Sequence, residues 1–413
     1  MIKNRHAILA LLTGLNFLNY IDRTVLAAVL KDMQADVGLS KAQAGLLATA
    51  FLIGYFLTAP WFGARADKHA RKGLIALGVI IWSLATAATG LANSFVTLLA
   101  ARAVVGVGEA AYATLAPTII DDLTPPEHKN RALAIFYLAI PLGSALGYTL
   151  GGTMGKHLGW HTAFFLAGGP GIAIALMCLL IEEPKRKLAT AKAKISQNLR
   201  TLFRIPLYRR AVLGYIAYTW ALGAFQIFAP EFLQERFPHD LDEQSAGFWF
   251  GTVLVVAGFI GTIVGARWAD RSQRALPAVT PDMPHDARAN RQGSNALLRV
   301  CAIGMIIACP LGAAAFLATT PVMFFTCAFF CAIGLFLSTS PVAAVGLRAV
   351  PVELRASAMA AMIFAIHLFG DLWSPPALGY LQDLLPTVLA MMALPIVFAL
   401  SAYWWWPRAR EAE

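Results

Sequence analysis

Residues 73–92 read Gly73-Leu-Ile-Ala-Leu-Gly-Val-Ile-Ile-Trp-Ser-Leu-Ala-Thr-Ala-Ala-Thr-Gly-Leu-Ala92, without one charged side chain. Wound as a helix, a run of this length covers ~30 Å, the thickness of a bilayer's hydrocarbon core. Arg71 and Lys72 guard one end, and Asn93 and Ser94 the other. Runs of the same kind recur outward from it. They lie at ~7–30, ~44–64, ~95–120, ~131–155 and ~161–181, then ~210–233, ~245–268, ~297–317, ~321–348, ~355–381 and ~384–406. The reading is an all-α membrane protein with twelve transmembrane helices in two six-helix bundles. Composition agrees. The 413 residues are 58% hydrophobic and 14% charged, whereas a soluble domain is about a quarter charged. An ordinary soluble enzyme, a disordered chain and a fibre are thereby excluded.

The charge pattern orients the spans. Of 33 lysines and arginines, 27 fall at the termini or beside the loops that follow even-numbered spans, and 4 fall on the opposite side. Cytoplasmic loops carry the excess of basic residues, so both termini are expected in the cytoplasm. The net charge of +10 is thus explained by topology, and no nucleic-acid partner is called for. The stretch 183–208 is densely basic and divides the chain into bundles at 1–182 and 209–413. As a cytoplasmic linker it would lie on an anionic leaflet. The five cysteines sit inside apolar runs with no CxxC pair, so neither a disulfide framework nor a metal site is implied. No nucleophile elbow, metalloprotease motif or phosphate loop occurs, so neither an enzyme nor a cofactor is expected.

The two halves echo one another. Gly63-Ala-Arg65-Ala-Asp67-Lys68 follows the second span, and Gly265-Ala-Arg267-Trp-Ala-Asp270-Arg271 follows the eighth. Arg131 opens the fifth span and Arg355 the eleventh. Paired repeats of this kind belong to carriers. The string Gly63-x-x-x-Asp67-Lys68-x-x-Arg71-Lys72 resembles the loop signature of the major facilitator superfamily. Arg102-x-x-x-Gly106-x-Gly108 resembles its fourth-helix signature. Gly147-Tyr-Thr-Leu-Gly151-Gly152 is similar to its fifth-helix signature, with Tyr148 where proline is usual. Three further strings resemble the Spinster family of lipid transporters. They are Asn19-Tyr20-Ile21-Asp22-Arg23, Gly106-Val-Gly108-Glu109-Ala-Ala-Tyr112, and His367-Leu-Phe-Gly370-Asp371. The short termini resemble those of bacterial members. The resemblance implies the major facilitator fold and a bacterial inner-membrane location.

Ionisable groups inside spans are costly and mark function by default. Asp22 and Arg23 lie on the first span, and Arg102 and Glu109 on the fourth. Arg102 and Glu109 are seven residues apart and share a helix face. Asp22 and Arg102 lie ~12 and ~10 Å from the same membrane face, at a depth where they would pair. Glu109 lies ~10 Å deeper, with no cation at its level on its own helix. Glu109 and Asp22 are therefore the expected proton-coupling groups. Asn19, Tyr20, Arg23, Arg102 and Tyr112 are the expected substrate contacts, because arginine's donor fork suits a phosphate. The resemblance implies the same role for Tyr20 and Arg23. Packing competes as the reading for both tyrosines. Gly63, Asp67, Arg71, Arg131, Asp270, Arg271 and Arg355 are the expected gate, with the carboxylates addressing positive helix ends. His367 and Asp371, four residues apart, form a secondary polar patch too small to hold a metal.

Together these point to a monomeric secondary active transporter working by alternating access. Its partners would be protons, membrane lipids and an amphiphilic cargo such as a lysophospholipid or sphingoid phosphate. A drug or organic-anion carrier of the same superfamily is the alternative.

Overall fold

The computed structural model describes residues 2–66, 69–125, 129–183, 195–274, 287–350 and 354–407. Among them helices joined by short connections are the regular structure, apart from one isolated bridge. The helices are α1 (Arg5–Ala28), α2 (Leu30–Val37), α3 (Lys41–Ala66), α4 (Arg71–Thr89), α5 (Phe95–Leu123), α6 (Lys129–Leu158), α7 (Trp160–Leu179), α8 (Ile195–Arg204) and α9 (Pro206–Arg236). They continue as α10 (Glu243–Arg274), α11 (Ala287–Leu317), α12 (Pro321–Phe336), α13 (Thr339–Arg348), α14 (Arg355–Ile366), α15 (Ser374–Leu384), α16 (Thr387–Met391) and α17 (Ala393–Trp405). A π-helical segment, His367–Asp371, separates α14 from the residues leading into α15.

Local chemistry sets several of these ends. Ser94 caps α5 through a reciprocal pair with Thr97, which satisfies two amides that a helix start leaves open. Thr320 caps α12, with Pro321 in the first turn. Gly38 closes α2 at φ 73°, a left-handed conformation that glycine adopts without strain.

Eleven segments are long and apolar enough to cross a membrane among the described residues. The expectation was twelve. The exception is α1, which is 24 residues long but carries Asn16, Asn19, Asp22 and Arg23. Those side chains lower its apolarity. Large apolar side chains lie exposed along the eleven segments, including Leu57, Phe259, Val322 and Ile396. Water does not tolerate so continuous an apolar surface, and a bilayer does.

Two compact units emerge. The first comprises Met1–Ala189, Gln226–Thr252 and Pro375–Asp383. Its core gathers Phe51, Trp82, Tyr112, Phe136 and Ile119. Glycines let its backbones meet. A Cβ on Gly54 would strike Ala103 O, and one on Gly106 would strike Phe51 O, so α3 and α5 touch through bare backbone. Gly78 and Gly108 do the same for α4 and α5. Gly143, Gly147 and Gly151 seat α6 on α1, and Gly152 faces Glu243. These glycines bring the α6 backbone close against α1 and Glu243.

Opposite the end that holds residue 2, this unit carries a polar clasp. Lys41 Nζ lies 2.7 Å from Glu235 Oε1 and 3.6 Å from Glu231 Oε1, and Gln34 Nε2 donates to Glu231 Oε2 at 3.1 Å. The Lys41 and Ala42 amides donate to the Asp383 carboxylate at 2.9 and 3.0 Å. Lys156 binds Asp242 nearby and holds that carboxyl well below the usual carboxylate range, helped by Ser245. The Lys156–Asp242 contact therefore stays ionised in mildly acidic medium. Lys41→Met would strip the cation from both glutamates. A cysteine placed at Ala42 should then gain reactivity toward an impermeant maleimide several-fold relative to the parent. Unchanged labelling would show that the clasp does not hold this end shut.

At the other end, Ile2 bridges to Ile181. Ile2 N–H donates to Leu180 O at 2.7 Å, and Glu182 N–H donates to Ile2 O at 3.1 Å. The second unit comprises Thr190–Phe225, Val253–Ser374 and Leu384–Glu413. Its close approaches repeat the glycine device, with Gly265 against Leu337 and Gly304 against Gly334. Arg210 is buried and donates to the Trp404 and Trp406 carbonyls, and Trp405 Nε1 donates to Ala211 O.

Candidate functional site

The first unit holds the charges that the sequence singled out. The α1 face that turns inward presents Asn16, Asn19 and Asp22 at three-residue spacing, all buried. Opposite stand Arg102 and Glu109 of α5, also buried. The observed pairing differs from the expected one. Arg23 Nε donates to Glu109 Oε2 at 2.6 Å, with the arginine side chain 25% exposed and the glutamate fully buried. Asp22 makes no ion pair within reach of Arg102. Its Oδ2 accepts from Thr86 Oγ1 of α4 at 3.1 Å. Depth along the axis put Asp22 and Arg102 level, but Asp22 turns toward the α4 hydroxyl. The cation missing from Glu109's own helix arrives from α1, because an arginine reaches more than a turn beyond its Cα.

Aromatic rings frame the arginines. The Arg23 guanidinium lies 5.0 Å from the Tyr20 ring centre, 4.9 Å from Phe51 and 5.7 Å from Tyr55, and Arg102 lies 5.4 Å from Phe51. Such faces stabilise a cation while leaving its donors free for an anion. Phe51 and Tyr55 were not singled out from the sequence. Their i, i+4 spacing on an apolar span reads as ordinary packing until α1 is placed beside it.

Tyr112 is a correction. It lies in the core between Trp82 and Phe136, and its hydroxyl donates to Leu12 O at 2.9 Å. Its side chain is fully buried. Tyr112→Phe should cost about 1 kcal/mol in thermal stability and leave cargo affinity unchanged. A fall in affinity would return Tyr112 to the binding face.

The Major Facilitator Superfamily matches residues 12–375. Human protein spinster homolog 1 is 32% identical over 413 residues, covering 91% of this chain and 72% of that protein. The chain belongs to the Spinster branch of the Major Facilitator Superfamily. Protein spinster of Drosophila melanogaster is 30% identical over 381 residues, and the chain spans 60% of the length of that relative. A bacterial homolog of the human lysosomal transporter Spinster, in an inward-facing and occupied conformation, superposes with a TM-score of 0.83 at 24% identity over 98% of this chain and 97% of that one. A D-xylose–proton symporter superposes with a TM-score of 0.75 at 16% identity, covering 99% and 98%. These likenesses carry the fold.

The remaining expected positions of this Spinster-family chain are distributed as follows. Arg71 is buried at the start of α4. Its amide donates to Glu183 Oε1 at 2.7 Å, its Nη1 lies 2.8 Å from Asp122 Oδ2, and it also reaches Thr118 Oγ1 at 3.0 Å. A carboxylate therefore does sit on the positive end of a helix here, supplied by Glu183. Asp67, named for that role, lies outside the described residues. Gly63 meets little beyond Thr114 Cγ2 at 3.9 Å. Asp270 and Arg271 are exposed at the end of α10. The side chains of Arg131 and Arg355 lie outside the described residues.

In the second unit, His367 Nδ1 lies 2.9 Å from Asp371 Oδ2, inside the π-helical segment. Gly370 packs on Thr219, and Gly223 faces Asp371. Irregular turns of this kind gather at functional sites. Glu231 of α9 was missed. It is an ionisable residue inside an apolar run, and the rule that selected Asp22 and Glu109 selects it too.

Proposed function

We propose that this Spinster-family transporter moves an amphiphilic lipid carrying an anionic head group, of lysophospholipid or sphingoid-phosphate type, coupled to protons. The observation that supports it is the Arg23–Glu109 pair set among Tyr20, Phe51 and Tyr55. Arginine's fork suits a phosphate or carboxylate. While Glu109 is ionised, it occupies that fork. A proton on Glu109 frees Arg23 for the head group, and the rings accept the first methylenes of the chain. Proton and head group then favour the same state, and each raises the affinity of the other. Asn19, Asp22 and Arg102 complete the polar wall. In this reading the halves 1–182 and 209–413, joined by the linker 183–208, alternate access across a bacterial inner membrane as a twelve-span monomer with both termini cytoplasmic. Arg71 with its carboxylates, Gly63, Asp67, Arg131, Asp270, Arg271 and Arg355 act at the cytoplasmic gate. His367 and Asp371 serve as a second polar site.

The test is uptake into reconstituted vesicles of labelled lysophospholipids, sphingoid phosphates and small organic anions, with and without a pH gradient. The expected result is saturable lysolipid uptake accelerated by the gradient, with Glu109→Gln binding cargo yet losing the pH response. Transport of organic anions with no lysolipid uptake would overturn the cargo. A parental pH response in Glu109→Gln would overturn the coupling.

A further inference from the structure

The interior of the first unit contains polar atoms that no side chain satisfies. Asn19 Nδ2, Asp22 Oδ1, Trp82 Nε1, Ser83 Oγ, and Arg102 Nε and Nη1 lack hydrogen-bond partners among the described residues, as does Glu109 Oε1. All six residues are at most 2% exposed. Orphaned buried donors and acceptors are rare in folded proteins, and so many on one set of packed helices is a signature of something that binds there.

The six come from three neighbouring elements. Asn19 and Asp22 lie one turn apart on α1. Trp82 and Ser83 lie on α4 beside Thr86, which already holds the other oxygen of Asp22. Arg102 and Glu109 lie on α5. Trp82 Nε1 acts electrostatically on the Asp22 carboxylate yet has no partner within hydrogen-bond distance, so a bridging water would join the two. Gly171 of α7 borders the same space. A Cβ there would run into Ser83 Oγ, so only glycine lets α7 close on the hydroxyl from that side.

The mixture of groups selects the ligand. Arg102 and Glu109 face Asp22 electrostatically, and Arg23, which pairs with Glu109, lies against the Tyr20 and Tyr55 rings. Asp22 would repel an anion and Arg102 a metal cation. A small neutral molecule that both donates and accepts satisfies donors and acceptors together, and that is water.

We propose that α1, α4, α5 and α7 enclose an internal water site, bounded by Asn19, Asp22, Ser83 and Arg102, that relays protons between Asp22 and Glu109. This rests on the proton-coupled reading and adds to it. The proton moves inside the bundle, while the head group meets Arg23 on its partly open side.

Two measurements decide it. A structure at a resolution that places ordered water should show water within hydrogen-bond reach of Ser83 Oγ and Arg102 Nη1. A dry interior, or side chains closed directly on one another, overturns the site. In vesicles, Ser83→Val should slow uptake driven by a pH gradient about tenfold, as loss of one hydrogen-bonded link predicts. Counterflow of cargo at equal pH should stay within about twofold, since it requires no net proton release. Ser83→Thr should restore the driven rate. An equal fall in both modes, or no fall in either, overturns the relay. If the unmodified protein ignores the pH gradient, the coupling reading fails, and the water site then stands or falls on the structure alone.

Discussion

Arg23→Ala is expected to abolish transport and to destabilise the protein by about 3 kcal/mol, read as a drop in unfolding temperature in detergent. The cause is the carboxylate left behind. Glu109 is fully buried, and Oε2 has Arg23 as its partner at 2.6 Å. Its other oxygen has none among the described residues. Removing the arginine leaves a buried charge without compensation, which is far worse than never having had the pair. The double variant Arg23→Ala/Glu109→Gln should recover stability to within about 1 kcal/mol of the parent, because glutamine buries no charge. Transport should stay lost. A double variant no more stable than Arg23→Ala would show that the two side chains do not act as a pair, and the proposed exchange of Arg23 between Glu109 and cargo would fail with it.

The second large effect is steric. Gly106→Ala should destabilise by about 1–3 kcal/mol, and Gly106→Val by more, with aggregation on size-exclusion chromatography. The added carbon would overlap Phe51 O and press on Tyr55 N, both backbone atoms that cannot swing aside. The damage also reaches function, since Phe51 and Tyr55 are rings that flank Arg23. Gly14→Ala is the contrasting case. Nothing lies within 4 Å of a Cβ there, so it should be neutral or stabilising by up to about 1 kcal/mol, as for an unhindered helix-interior glycine. Equal effects at positions 106 and 14 would refute backbone contact as the explanation.

Much of the architecture was legible along the chain because a bilayer imposes a single demand, about twenty apolar residues per crossing. The helix that falls outside this count, α1, does so because it carries the polar residues Asn16, Asn19, Asp22 and Arg23. The residue set Asp22, Arg23, Arg102 and Glu109 was legible by the same token. Their partners were not. Axial depth places Cα atoms, whereas Arg23 spans the gap to Glu109 with its side chain, and Thr86 claims Asp22 from a third helix. Tyr112 stood among the expected head-group contacts with packing as the competing reading, and its hydroxyl is used up on Leu12 O. The clasp at Lys41 combines a loop-edge lysine with two glutamates some 190 residues on, a pairing that only folding reveals.

The π-helical turn at His367–Asp371 has a consequence for comparing sequences. A wide turn of this kind absorbs one surplus residue while the helical stretches on either side keep their faces in phase. A relative one residue shorter here would close the turn to an ordinary one and still present the same side chains before and after it. Aligning this span across relatives therefore calls for a gap between 367 and 371, and an ungapped match would shift one flank by a hundred degrees of helical phase.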